Sequence, residues 1–343
     1  MKNLLKAGLL KVPAIRSLRD ARNALLAQRD ALSSDLDACR NQLAAQGQDV
    51  ASPFYYYHSC FDAQAVIRRH AVSGLQPHPR YLTNFLGVLI DPKFFPSILH
   101  GRAGQVEPVP IPANWHADIS EWAAALRAVD LAPGGFTMIE LGCGWGCWMN
   151  NTGVAARRAG KAVQLIGIEG DQGHVGFARE ACEANGFHPS EITLHHGIAA
   201  AKPGTALFPH QGQPGSSWGL EPIFGATELQ REQALRSGRY DALPMVPLGD
   251  GAAQHGRIDL LHIDIQGGEA DLVAACLPLL CRTFAYLLIG THSRAIEGKL
   301  FEVLLGAGWR LEIERPCRIH LIEGTLSTYV DGVQGWRNPM LLP

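Results

Sequence analysis

Four stretches of this chain carry side chains whose types and spacing could do chemistry. Glu140 comes just before three alternate glycines, Gly142, Gly144 and Gly146, in Phe136-Thr-Met-Ile-Glu-Leu-Gly-Cys-Gly-Trp-Gly146. Glycines so spaced let backbone amides approach a ligand where any Cβ would collide. Glu169 closes Leu165-Ile-Gly-Ile-Glu169, within the range expected for a ribose-binding acid after a glycine turn. Such a carboxylate can accept from both ribose hydroxyls, each bond contributing roughly 1.5–3 kcal/mol when charge-assisted. Asp264 ends the apolar run Ile258-Asp-Leu-Leu-His-Ile-Asp264, and His292 lies in Gly290-Thr-His-Ser293. A carboxylate or an imidazole placed beside a bound hydroxyl can take its proton as a new bond forms.

The elements that must position these residues are legible as apolar runs. Strand-like runs cover Phe136–Leu141, Val163–Ile168, Ile192–His196, Ile258–Asp264, Phe284–Ile289 and Trp309–Ile313. Helix-like runs cover Cys147–Ala159, His174–Ala184, Glu269–Leu280 and Ala295–Leu305. This alternation predicts an α/β, doubly wound, Rossmann-like parallel sheet covered on both faces, with ligands bound outside the carboxyl ends of its strands. The third strand ends at His195 and His196, where an adenine ring is expected, so His196 and Gly197 are candidate contacts. Residues 197–256 break the rhythm with Gly, Pro, Ser and Gln, and predict an irregular insertion, either a functional flap or a mobile loop.

The glycine spacing departs from the dinucleotide fingerprint, because Cys147 stands where that pattern wants its third glycine. It resembles motif I of the class I S-adenosylmethionine-dependent methyltransferases. That resemblance implies cofactor contacts from Glu140, Gly142, Gly144, Gly146, Glu169, His196 and Gly197. Further on, Asp264, Gly267 and Glu269 match the Lys-x-Asp-x-Glu-Gly-x-Glu signature of the FkbM family of methyltransferases, with His262 in place of the lysine and Gln266 in place of the first glutamate. The similarity covers roughly residues 136–309, with Asp331–Pro339 as an added stretch, and leaves out everything before Asp130. It implies O-methylation of a hydroxyl on a sugar or polyketide-type acceptor, and members associated with surface polysaccharide make a glycan the expected acceptor. The two departures leave the catalytic base open.

Methyl transfer is an in-line displacement, so most of the rate can come from alignment of the reacting atoms. Asp264 is the first candidate base and His292 the second. His116, in Asn114-Trp115-His116-Ala117-Asp118, is the third. His262 reads as a buried, hydrogen-bonded structural histidine two residues before Asp264. A divalent metal, if present, would take Asp264, Glu269 and His292 as ligands. It is not favoured, because metal-dependent methyltransferases place paired carboxylates on strand five and none are visible here. Glu269 reads equally as a first-turn acid complementing a helix dipole. Ser216, Ser217 and Trp218 in the insertion have either a lid or a packing role.

Three regions follow. Residues 1–50 predict a helical extension: Leu18, Leu25, Leu32 and Cys39 recur every seven residues, compatible with a short coiled coil and a homo-oligomer through residues 15–45. Residues 51–130 are rich in aromatics, histidine and proline and predict extended segments forming a lid or a packing layer. Residues 131–343 form the catalytic domain. Thirty basic against thirty-two acidic side chains leave a net charge of -2, which gives no bulk field for nucleic acid. Eight scattered cysteines without a C-x-x-C pair suggest free thiols in a reducing cytoplasm rather than zinc ligands. The apolar start is too short to span a membrane. The expected partner is a small-molecule or glycan acceptor. Two rival functions are a nicotinamide-dependent oxidoreductase and a non-catalytic cofactor-binding scaffold.

Overall fold

A computed structural model describes residues 52–213 and 215–342. The helical extension expected over residues 1–50, with its heptads, lies outside the described residues. The main sheet contains β1 (Phe136–Leu141), β2 (Val163–Glu169), β3 (Ile192–His196), β4 (Leu260–Ile263), β5 (Tyr286–Thr291), β6 (Arg310–Arg315) and β7 (Gly332–Arg337). Its order is β3-β2-β1-β4-β5-β7-β6, with the short strand His58–Ser59 added at the β6 edge. Strands β1 to β5 pair in parallel, and β7 runs antiparallel between β5 and β6. Strand order reverses between β1 and β4, so a ligand crevice is expected at their carboxyl ends.

Alternate residues of each strand feed two separate cores. Met138, Leu165, Leu260 and Leu288 point into one, while Ile139, Ile166, Leu261 and Leu287 point into the other. Both faces are therefore apolar, which is why these strands read as continuous hydrophobic runs. Each such side chain contributes roughly 1.5–3 kcal/mol on full burial. Helices α1 (Ile119–Leu131), α2 (Cys147–Arg158), α3 (Gln172–Ala184), α4 (Glu269–Thr283) and α5 (Arg294–Gly306) cover the sheet. Asp118 starts α1 with a capping box, its side chain accepting from the Ser120 and Glu121 amides while Glu121 accepts from the Asp118 amide.

Two regions differ from the sequence expectation. Residues 197–256 are irregular only in part: Ile198–Ala200, Gly204–Pro209 and Tyr240–Pro247 form a three-stranded sheet, and helices Glu228–Arg236 and Leu248–Ala252 lie in the same stretch. Proline hides the central strand, since Pro244 and Pro247 cannot donate to a ladder. The pairing with Ile198–Ala200 covers only Met245–Pro247, so Pro244 has one side outside that ladder. Strand β7 is the second difference. Gln334 and Gly335 interrupt its apolar pattern, and glycine is required at 335 because a Cβ there would lie 2.6 Å from Ile313 Cγ2.

The proline-rich region before α1 folds as packing: Phe85 meets Trp122 edge-on at 4.9 Å, and Trp122 meets Trp148 of α2 at 4.9 Å. It also reaches the crevice through Phe95, Trp115 and His116. No helix among the described residues is long and apolar enough to cross a membrane.

Candidate active site

The turn after β1 is built on left-handed backbone, with φ of +70° at Gly142 and +52° at Gly144. The missing Cβ atoms face protein rather than open space. A Cβ on Gly142 would lie 2.2 Å from the Asp264 carbonyl oxygen, and one on Gly144 would lie 2.6 Å from the Trp218 ring. The glycines thus let the β4 end and the insertion close onto the turn, a different reason from the ligand approach expected from spacing. Gly146 caps α2 against Ala178.

Both acids hold this turn. Glu140 accepts from the Trp148 amide at 3.2 Å and the Met149 amide at 2.9 Å, satisfying the first turn of α2. Burial, with Asp264 and Glu169 nearby, pushes its carboxyl up to about 8 despite those two bonds. Glu169 accepts from the Gly144 amide through Oε2 and from the Asp171 amide through Oε1, both at 2.8 Å. Burial raises Glu169 as well, the two amides pulling the other way.

A cavity of about 610 Å³ opens beside the turn, bordered by Glu140, Gly142, Gly144, Glu169 and Gly197. The insertion closes it: the Trp218 ring lies 4.1 Å from His174 and 4.9 Å from Phe95. The Gly215 amide donates to Asp171, which anchors that segment to the start of α3. His196 stands outside the lining, its Nε2 paired with the Gly170 carbonyl at 3.0 Å. Gly146 is outside it too.

A second cavity of about 280 Å³ shares Trp115, His116, Glu121 and Asp264 with the first. Asp264 is therefore at the wall between them, its side chain 42% exposed. His292 borders only the smaller cavity, where its Nε2 lies 3.3 Å from Asp264 and its Nδ1 3.1 Å from Glu269. Burial disfavours the charged ring, but the bonds to Asp264 and Glu269 outweigh it and lift His292 to about 10. Both ring nitrogens of His292 thus face carboxylates, an arrangement that favours a donating ring over a free base. Burial pushes the Asp264 carboxyl up, yet the His292 hydrogen bond and the neighbouring histidines together hold it below the usual carboxylate range. His116 is driven down to about 4 by burial, then by His262, and its Nε2 meets the Cys147 thiol. His262 is also down to about 4 through burial. Its Nδ1 is buried without a hydrogen-bond partner, so the hydrogen-bonded role expected for it is not what is found.

Two residues of the smaller cavity had no functional signal in sequence. Glu121 is pushed up to about 8 by burial and then by Asp118, and in the structure it closes the capping box of α1. Arg315 donates through Nε to Asp118, while its Nη1 is buried with no partner. The larger cavity fits a nucleoside bearing a cationic sulfur: an acid at each of two adjacent strand ends, a glycine turn between them, and aromatic walls.

No family model matches the chain. It is 44% identical over 276 residues to a protein of Jannaschia sp. (strain CCS1) named "Putative methyltransferase", covering 80% of this chain and 98% of that one. Among solved structures, a human methyltransferase 10 domain containing protein is similar at 12% identity and a TM-score of 0.36, covering 67% of this chain and 84% of that chain. Precorrin-6y C5,15-methyltransferase from Geobacter metallireducens GS-15 is similar at 10% identity and a TM-score of 0.35, covering 62% and 86%.

Proposed function

The chain belongs to the methyltransferase family of its Jannaschia relative, and we propose that it moves a methyl group from S-adenosylmethionine to a hydroxyl of a sugar or glycan-type acceptor. The observation that carries this reading is the meeting of two cavities at Asp264, one of nucleoside size and one smaller and polar. When bound, the cofactor supplies an electrophilic methyl on a sulfonium, an oxygen–carbon bond replacing the carbon–sulfur bond as the hydroxyl loses its proton.

The chain's own residues do the rest. Glu169 offers its remaining lone pairs to the ribose hydroxyls, while Glu140 fixes the glycine turn through the α2 amides. Asp264, ionised at the shared wall, receives the acceptor hydroxyl's proton. His292 donates to Asp264 and so fixes its orientation. Trp218 and Trp115 exclude water from the junction and offer rings to a sugar face. Arg315, with an unpartnered Nη1, donates to an oxygen of the acceptor. The FkbM-like residues Asp264, Gly267 and Glu269 support a hydroxyl acceptor over a nucleobase or a tetrapyrrole.

The test is mass spectrometry of host glycans from cells with and without the protein, together with calorimetry of S-adenosylmethionine binding. The expected result is one added methyl per acceptor residue, present only with the protein. Glycans of identical mass in both, with cofactor binding intact, would move the activity to another acceptor class. Absent cofactor binding would end the methyl-transfer reading.

A further inference from the structure

We propose that Asp264, Glu269 and His292 form a divalent-cation site at the edge of the smaller cavity. Asp264 follows β4, Glu269 is the first residue of α4, and His292 follows β5. One donor atom from each lies within 4.8 Å of the other two. The Glu269 side chain is 0% exposed. Its Oε1 accepts from the Ile265 amide at 3.1 Å and the Gly267 amide at 3.0 Å, and meets His292 Nδ1. Its Oε2 is buried with no hydrogen-bond partner. An unpartnered carboxylate oxygen at full burial is costly, and a nearby cation is the usual way to satisfy it.

The contact on His292 Nδ1 has the form that metal-bound histidines use, made by Glu269 Oε1 and leaving Oε2 for an ion. A carboxylate on Nδ1 sets the ring's orientation and turns Nε2 toward the other donor. Here Glu269 holds Nδ1, and Nε2 faces Asp264 Oδ1 at 3.3 Å. Asp264 and His292 both border the cavity, so an ion there would keep open positions toward a small ligand. Binding would displace the proton from His292 Nε2, and two carboxylates with one neutral imidazole suit a first-row dication of the Mn²⁺ type. Asp331, on the rim of the same cavity, adds negative charge. The three residues are those that sequence offered as metal ligands but did not favour, since the second acid comes from the first turn of α4 and not from β5. Its catalytic role rests on the methyl-transfer reading: an ion holding the acceptor hydroxyl would lower that hydroxyl's pKa and share with Asp264 the work of activating it. The existence of the site does not depend on that role.

The experiment is calorimetric titration of the chelator-stripped full chain with Mn²⁺, with Mg²⁺ and Zn²⁺ in parallel. One saturable ion per chain is expected, with affinity at least tenfold weaker in His292→Asn and Glu269→Gln. Neither residue borders the larger cavity, so both variants should bind S-adenosylmethionine as the parent does, which certifies their fold. Should either lose cofactor binding, Asp264→Asn, whose side chain is partly exposed, decides by its melting curve and ion affinity. No saturable binding of any of the three ions, or unchanged affinity in the folded variants, overturns the site. Ion binding without methyl transfer would sink the functional reading and leave the site standing. Methyl transfer without ion binding would do the reverse.

Discussion

Replacing Glu169 with alanine should weaken S-adenosylmethionine binding at least tenfold. The carboxylate is 9% exposed, and each oxygen already holds one backbone amide at 2.8 Å. Each also keeps a lone pair for a ribose hydroxyl. Two charge-assisted bonds at roughly 1.5–3 kcal/mol each would give about 3–6 kcal/mol before desolvation is subtracted. A tenfold change needs only about 1.4 kcal/mol, so the stated loss survives even if half of the gross gain is cancelled. A second effect acts in the same direction. Without the side chain, the Gly144 amide loses its partner and the turn beside the cavity loosens. Glu169→Gln separates the two effects, because its amide oxygen can still accept from one backbone group while the charge is gone. It should fall between parent and alanine variant. The assay is calorimetry on the full chain, with thermal melting of each variant to verify folding. An affinity within twofold of the parent for a folded Glu169→Ala protein would refute the idea that the end of β2 holds the ribose.

Two further predictions concern the lid and the protonation of the site. Trp218→Ala should open the larger cavity, raising the S-adenosylmethionine dissociation rate several-fold in stopped-flow fluorescence and speeding proteolysis within residues 213–224; an unchanged rate would assign Trp218 to packing alone. Glu140, at about 8 in the fold against an ordinary 4.5, keeps a proton that the unfolded chain loses across that interval. Its contribution therefore erodes as pH rises from about 4.5 to about 8, by about 1.4 kcal/mol per unit, and levels off above. Glu140→Gln removes this dependence, so the parent should lose stability relative to the variant between pH 5 and pH 8 in urea titrations. A difference that stays flat with pH would show that Glu140 is ionised in the fold. His116 and His262, each down to about 4, act in the opposite sense. They cost stability as pH falls from about 6.5 to about 4, so the comparison must be made between parent and variant rather than on the parent alone.

What the sequence carried was local, and what it lost was assembled from distant segments. Strands β1 to β5 were legible because two apolar faces leave an unbroken hydrophobic run, and Glu140 and Glu169 were legible as acids at the ends of such runs. Strand β7 was not, since Gly335 owes its place to Ile313 on β6 and Tyr286 on β5. The insertion was hidden by prolines that happen to fall where one side of its central strand is unpaired. Arg315 gave no signal because the Asp118 it pairs with lies 197 residues earlier.

His262 and Gln266, on either side of Asp264, are physically linked through it. A lysine at 262 would place a permanent cation beside the strand end. His262 is instead a neutral ring 3.8 Å from Glu140 and 5.8 Å from Trp148, so no cation at that position offsets the burial that protonates Glu140. The positive charge beside Asp264 comes from β5, as His292. Gln266 donates through Nε2 to Asp264 Oδ1 at 3.2 Å, where a carboxylate would repel it. His292 and Gln266 thus meet one condition, an Asp264 with donors around it, with the positive charge on β5 and not on β4. His262→Lys alone would put two cations around a single carboxylate, whereas His262→Lys in a His292→Asn background would leave one. The double variant should therefore retain more activity than the sum of the two single losses allows, and additive losses would show that the two positions are independent.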